Sequence, residues 1–346
     1  MNDAKLAAAA ARLDDGGKLL VTRLRYIGDV VLSLPLVQVL RRAFPRAAIH
    51  YLAEPVPLEI LRRHPDLDRL WCAARGRRGT WNTVTALRRE RFAAVIDLFA
   101  NPRSALLVRA SGAPVRIGEA RRSRRHLYTH ARVLATGRSA LEHHLDAAAW
   151  LGVEALVPER PQLHLSREEK AGPATALAAA ARGRPTVLLH WGATQRAKEW
   201  PEERTHELAR RLLGRDVHVV LSTAPHRTAL SASLAAALPA VQRLPVLPLR
   251  ALLAWVAAAD AVVAVDGGIA HCSVALGRPT LALFGPTVPQ IWFPYAAFGP
   301  FRVLHAGVDC SHCDRDFCPT RACMAALEVD SVEQQLREIA PGVGVS

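Results

Sequence analysis

AVVAVDGGIAHCSVALGRPTLALFGPT, residues 261–287, decides the fold. Its first five residues are apolar without polar alternation, the pattern of a strand covered on both faces by helices. The run ends in Asp266, Gly267 and Gly268 let the backbone approach a ligand closely, and a helix is expected from about Ile269. A second buried run, TLALFG, then returns to a parallel sheet. Strand, glycine loop, helix and strand make one unit of a doubly wound α/β domain, in which ligands bind at the carboxyl ends of the strands. Unsatisfied N–H groups at the helix start favour an anion such as a diphosphate. His271, in the first turn, can donate to the same anion, although a histidine so placed is also commonly structural. Pro286 and Thr287 follow the second strand on the same rim.

The same alternation runs outward in both directions. In the first half, strands are expected at Leu19–Leu24, Ala48–Ala53, Ala93–Phe99 and Val115–Gly118, with helical stretches such as Leu36–Ala43 and Thr80–Arg89 between them. In the second half they are expected at Thr186–Gly192, Val217–Ser222, Ala261–Asp266 and Thr280–Gly285, with a helix over Glu202–Leu213. Pro158, Pro161, Gly172, Pro173, Gly183 and Pro185 punctuate a connection with one helix, which places a boundary within 158–185. Two doubly wound domains are expected, residues 1–165 and 166–346, facing across a cleft. The 346 residues, half of them apolar, suffice for two cores and exclude a disordered chain. No window approaches the roughly 18 uninterrupted apolar residues of a membrane span, and the N-terminus lacks a signal-peptide pattern. The cytoplasm is the expected compartment.

Two further loops carry chemistry-bearing residues. RLRYIGDVVLSLP, residues 23–35, places Asp29 at the start of a helix kinked or restarted around Pro35. Helix capping alone accounts for such a carboxylate; a proton acceptor is the alternative. HWGATQRAKEWP, residues 190–201, leaves a strand at His190, turns at Gly192, and offers Thr194 and Lys198 before the next helix. A lysine in that position meets phosphate as a point charge, or is simply solvated.

The net charge of +14 is uneven, +12 over residues 1–165 against +2 over 166–346. Arg75, Arg77 and Arg78 form one cluster, and Arg121, Arg122, Arg124 and Arg125 another. This is either an arginine-rich solvated surface or a domain facing an anionic partner, nucleic acid or a phosphate-bearing membrane.

GDVVLSLP, GATQRAKEWP and DGGIAHCSVALGRPTLALFGPT, in this order and spacing, resemble glycosyltransferase family 9, the heptosyltransferases of lipopolysaccharide core synthesis, over roughly residues 18–340. The resemblance implies a GT-B architecture of two Rossmann-like domains. It implies an acceptor bound mainly by the first domain, an ADP-heptose donor bound by the second, and inverting transfer without a catalytic metal or other catalytic cofactor. On that basis Asp29 matches the catalytic base and Lys198 the donor-phosphate lysine, while Asp266, Gly267, Gly268 and His271, with Thr194, form the donor site. The chain departs from the family at Gly267, where Ser or Thr is common, and at Val288, where an acid is common. Arg121, Arg122, Arg124 and Arg125 then have an anionic lipid A or core acceptor to meet, in peripheral contact with the inner face of the inner membrane.

Two other readings compete. One is a basic nucleic-acid-binding protein, which would leave the three loops unexplained and lacks an RNA-binding signature, so no nucleic-acid partner is expected. The other is a GT-B enzyme such as a nucleotide-sugar epimerase. Cys310, Cys313, Cys318 and Cys323 lie within fourteen residues. Structural zinc held by thiolates, disulfides and free thiols are the three options for them.

Overall fold

The computed structural model describes residues 2–121, 123–154, 156–310 and 312–343. The chain divides at His164/Leu165 into two compact units. In the first, β1 (Lys18–Thr22), β2 (Ala48–Ala53), β3 (Arg69–Cys72), β4 (Ala94–Asp97), β5 (Val115–Glu119) and β6 (His130–Arg132) form one sheet in the order β3-β2-β1-β4-β5-β6. In the second, β7 (Thr186–Trp191), β8 (His218–Thr223), β9 (Gln242–Arg243), β10 (Ala261–Val265), β11 (Thr280–Phe284) and β12 (Phe301–His305) form the order β12-β11-β10-β7-β8-β9. Counted from its own first strand, each sheet has the same doubly wound order, and every neighbouring pair is parallel.

That order reverses direction once per sheet, between β1 and β4 and between β7 and β10. Such a switch point opens a crevice at the carboxyl ends of the strands, because the two connections leave to opposite sides. Asp29 follows β1 and Lys198 follows β7, so each lies at the switch point of its own unit.

The central strands are dry. Leu19, Leu20 and Val21 of β1, and Leu281, Ala282 and Leu283 of β11, are all 1 % exposed or less. Leu20, Leu52, Val95 and Phe92 belong to the first core; Val187, Val219, Val263 and Leu281 to the second. Helices over Leu34–Ala43, Gly76–Glu90 and Glu202–Gly214 enclose the three helical stretches expected from the sequence, and Arg167–Ala181 forms the one helix of the connection. Among the described residues no helix is long and apolar enough to cross a membrane.

His64 is 4 % exposed, with its ring 5.3 Å from that of His164 and its Nδ1 accepting the Asp66 N–H. Burial, and then the neighbouring histidine, push its pKa from 6.5 down to about 4. The unfolded chain therefore takes up this proton first as pH falls. The stability His64 contributes is complete above pH 6.5 and is lost as pH drops towards 4. At pH 4.5 the loss is about 2–3 kcal/mol. Urea unfolding at pH 7 and pH 4.5 checks this: in His64→Gln the difference between the two pH values should shrink by about that amount.

Candidate active site

In the first unit, β1 runs out at Thr22 and the chain enters the helix Ile27–Leu32. Asp29 is the third residue of that helix, and its Oδ2 accepts the Tyr26 N–H at 3.0 Å. Capping is therefore part of its work. Its Oδ1 is paired with Arg23. Arg23 also donates to the Leu98 carbonyl at 2.7 Å and lies over the Phe99 ring at 4.6 Å. The pair is sheltered, at 14 % and 13 % side-chain exposure, but not sealed from solvent. The helix ends at Ser33 and restarts over Leu34–Ala43, with Pro35 in its first turn, where a missing N–H costs nothing.

The loop after β4 holds Arg23 in place. Asp97 is buried, and its Oδ1 accepts the N–H groups of Phe99 and Ala100, each at 3.0 Å. Its Oδ2 accepts the Tyr128 hydroxyl at 2.7 Å. Desolvation raises the Asp97 pKa despite those four donors, which include Ser104. Tyr128 lies flat against Gly118, where a Cβ would fall 2.3 Å from the ring, so only glycine leaves room. Arg124 donates to the Ala100 carbonyl at 3.0 Å, which brings it to the same loop that Arg23 grips. Arg121 is exposed and paired with Glu119 at 2.7 Å, and Arg125 is exposed in a short 3-10 turn. Arg122 lies outside the described residues.

In the second unit, Lys198 ends a 3-10 turn over Arg196–Lys198, and its ammonium sits 2.7 Å from Asp266 Oδ2. The Thr287 hydroxyl donates to the same oxygen at 2.6 Å. The three loops at this end of the sheet, after β7, β10 and β11, are thereby tied at one carboxylate. An ammonium has three donors, so pairing with Asp266 leaves others for an anion. The helix Gly268–Ala275 opens immediately after Gly267. It begins one residue earlier than the sequence suggested.

Gly267 is extended, and a Cβ there would meet only the Val265 carbonyl, at 3.7 Å. The departure from Ser or Thr thus leaves open space rather than filling a demand of the backbone. Gly192 is different: φ is +111°, and a Cβ would come within 3.1 Å of Ala224. Thr194 is exposed on the turn that Gly192 permits. His271 is 4 % exposed, shares a 2.9 Å hydrogen bond with the Tyr295 hydroxyl through Nδ1, and packs near Phe293. It is held as a core residue of the helix start.

Behind the lysine, Glu199 is 4 % exposed and is clasped by the Arg227 guanidinium, whose Nε donates at 2.7 Å. The cysteine segment braces the same loops. Asp314 N–H donates to the Pro286 carbonyl at 2.9 Å, Ala197 N–H to the Asp316 carbonyl at 3.2 Å, and Arg321 to the Glu199 carbonyl at 3.2 Å. Cys310 and Cys313 are exposed, Cys318 half-buried and Cys323 buried, all as free thiols. Burial raises the Cys323 pKa, with Cys310 and Cys313 near enough to add to the shift. Among the described residues no three His, Cys, Asp or Glu side chains converge as a metal site.

A model of glycosyltransferase family 9 (heptosyltransferase) matches residues 80–319. Lipopolysaccharide heptosyltransferase 1 of Pseudomonas aeruginosa is 31 % identical over 321 residues, covering 87 % of each chain. The chain belongs to glycosyltransferase family 9. It is a glycosyltransferase of the heptosyltransferase group, and its two-sheet fold is shared with solved structures. A family 9 glycosyltransferase from Veillonella parvula superposes with a TM-score of 0.79 at 20 % identity, covering 94 % of this chain and 97 % of that one. The ADP-heptose lps heptosyltransferase II of E. coli gives 0.78 at 24 %, covering 94 % and 98 %. In this family 9 chain the sequence singled out Asp29, Lys198 and Asp266 as candidates, but not Arg23, Asp97 and Tyr128, which the structure ties to the Asp29 loop. Arg23 stood in the quoted motif, and the cue was its place at the end of β1. Asp97 lies two residues inside the end of the expected strand Ala93–Phe99, and β4 itself ends on it.

Proposed function

We propose that this enzyme transfers a heptose from ADP-heptose to the inner core of lipopolysaccharide, inverting the anomeric centre, with the first unit taking the acceptor and the second the nucleotide sugar. The observation that carries the reading is the Lys198–Asp266–Thr287 junction at the mouth of the Gly268–Ala275 helix. It supplies an ammonium and free backbone N–H groups where a diphosphate would leave. The names of the relatives support the sugar, the nucleotide and the acceptor.

In the reaction an acceptor hydroxyl forms a bond to the anomeric carbon, the bond from that carbon to phosphate breaks, and its electron pair departs with ADP. The hydroxyl proton goes to Asp29. A carboxylate is a weak base towards an ordinary alcohol, so the proton moves late, once bonding to an oxocarbenium-like carbon has acidified the oxygen. Arg23 holds the carboxylate in position, and Arg124, with its exposed neighbours Arg121 and Arg125 and with Arg122, meets acceptor phosphates. On the donor side Lys198 and the helix start take the growing charge of ADP, with Thr194 on the rim and His271 behind the loop. The work is done in the cytoplasm against a lipid-anchored acceptor.

A thermal-shift panel tests the nucleotide. ADP should raise the melting temperature selectively, with about 2.7 kcal/mol of stabilisation at a hundredfold excess over Kd. Equal stabilisation by UDP, GDP or CMP would remove ADP from the assignment.

A further inference from the structure

We propose that the Gly76–Glu90 helix docks the protein on an anionic bilayer, Trp81 entering the headgroup layer and the surrounding arginines meeting lipid phosphates; this rests on the reading that the acceptor is lipid-anchored. Thr83 and Leu87 turn into the first unit and are buried. On the opposite side, Arg77, Arg78 and Arg88 stand four and three residues before and seven residues after Trp81, so all four share one outer stripe. Trp81 is 68 % exposed. An indole with an apolar body and one N–H suits the boundary between headgroups and acyl chains better than it suits water.

The charge on this face is of one sign. Among the described residues, Arg77, Arg78, Arg88, Arg89 and Arg91 have no carboxylate partner, whereas Arg75 at the helix entry pairs with Glu54 at 2.7 Å. The helix's single acid, Glu90, is turned away to Lys18 at 2.6 Å and Arg69 at 2.9 Å. Three unpaired cations on the stripe of one exposed aromatic, with Arg89 and Arg91 further along at the helix end, are complementary to a surface carrying both phosphate and an apolar layer. A nucleic acid offers the first without the second.

Flotation of the full chain with vesicles tests this. The protein should rise with phosphatidylglycerol–phosphatidylcholine vesicles and stay behind with phosphatidylcholine alone, and added salt should release it. Each arginine near an anionic surface is worth about fivefold, so Arg77→Gln/Arg78→Gln should lower partition by roughly twenty-fivefold. Trp81→Ser should lower it by about tenfold. Both variants should melt like the parent and turn over a lipid-free acceptor saccharide at the parental rate. Parental partition in both variants, equal partition onto neutral vesicles, or retention on duplex DNA lost in both variants without vesicle binding would overturn the docking. Transfer to the lipid-free acceptor is read separately. If it is absent while flotation depends on Trp81, docking stands and the transfer reading falls; if it is present without flotation, the reverse holds.

Discussion

Asp29→Asn is expected to keep the fold and ADP affinity and to lose about 10²–10⁴-fold in turnover, the usual worth of a positioned general base. The amide oxygen can still accept the Tyr26 N–H, so the helix start survives. Arg23 loses its anionic partner but keeps the Leu98 carbonyl and the Phe99 face. A modest loss of stability is therefore compatible with the assignment, and ADP-induced thermal shift separates it from catalysis. Near-parental turnover in this variant would reject Asp29 as the base.

Lys198→Ala should weaken ADP binding by about 10- to 100-fold, the worth of one charged hydrogen bond. Turnover should fall with it, since the lost ammonium faces the departing diphosphate. The same change strands Asp266, whose side chain is 6 % exposed and, among the described residues, would retain the Thr287 hydroxyl. Breaking a sheltered pair from one side can cost about 3 kcal/mol. The double variant Lys198→Ala/Asp266→Asn distinguishes the two roles: it should recover much of the stability while leaving ADP binding weak. Recovery of both would make the pair a structural fixture, and unchanged affinity in the single variant would remove Lys198 from the donor site.

The inner strands of both sheets were legible because burial on two faces writes itself as an apolar run. β1, β2, β4, β5, β7, β8, β10 and β11 all stand where such runs occur. The four strands that were not legible, β3, β6, β9 and β12, are the four sheet edges. RLWC of β3 and QR of β9 are short and only partly covered, so they carry little apolar pattern. The site shows the same division. Asp29, Lys198 and Asp266 could be picked out because each follows or ends an inner strand. Their partners could not: Lys198 and Asp266 are joined only when β7 and β10 become neighbours, and Asp97 meets Tyr128 only through the space left by Gly118. His271, whose sequence position suits an anion, also packs near Tyr295 and Phe293, contacts that no local pattern announces. The clustering of the cysteines left zinc, disulfides and free thiols open; what the sequence did not show is the bracing of the phosphate loops by hydrogen bonds from Asp314 and Arg321 and to the Asp316 carbonyl.

The central claim is acceptor-dependent transfer, and the direct measurement is ADP release from ADP-heptose with and without a lipopolysaccharide core acceptor. ADP should appear rapidly only when both substrates are present, with heptose on the acceptor in the opposite anomeric configuration. Donor consumption at a comparable rate without acceptor, or none with both substrates present, would contradict it.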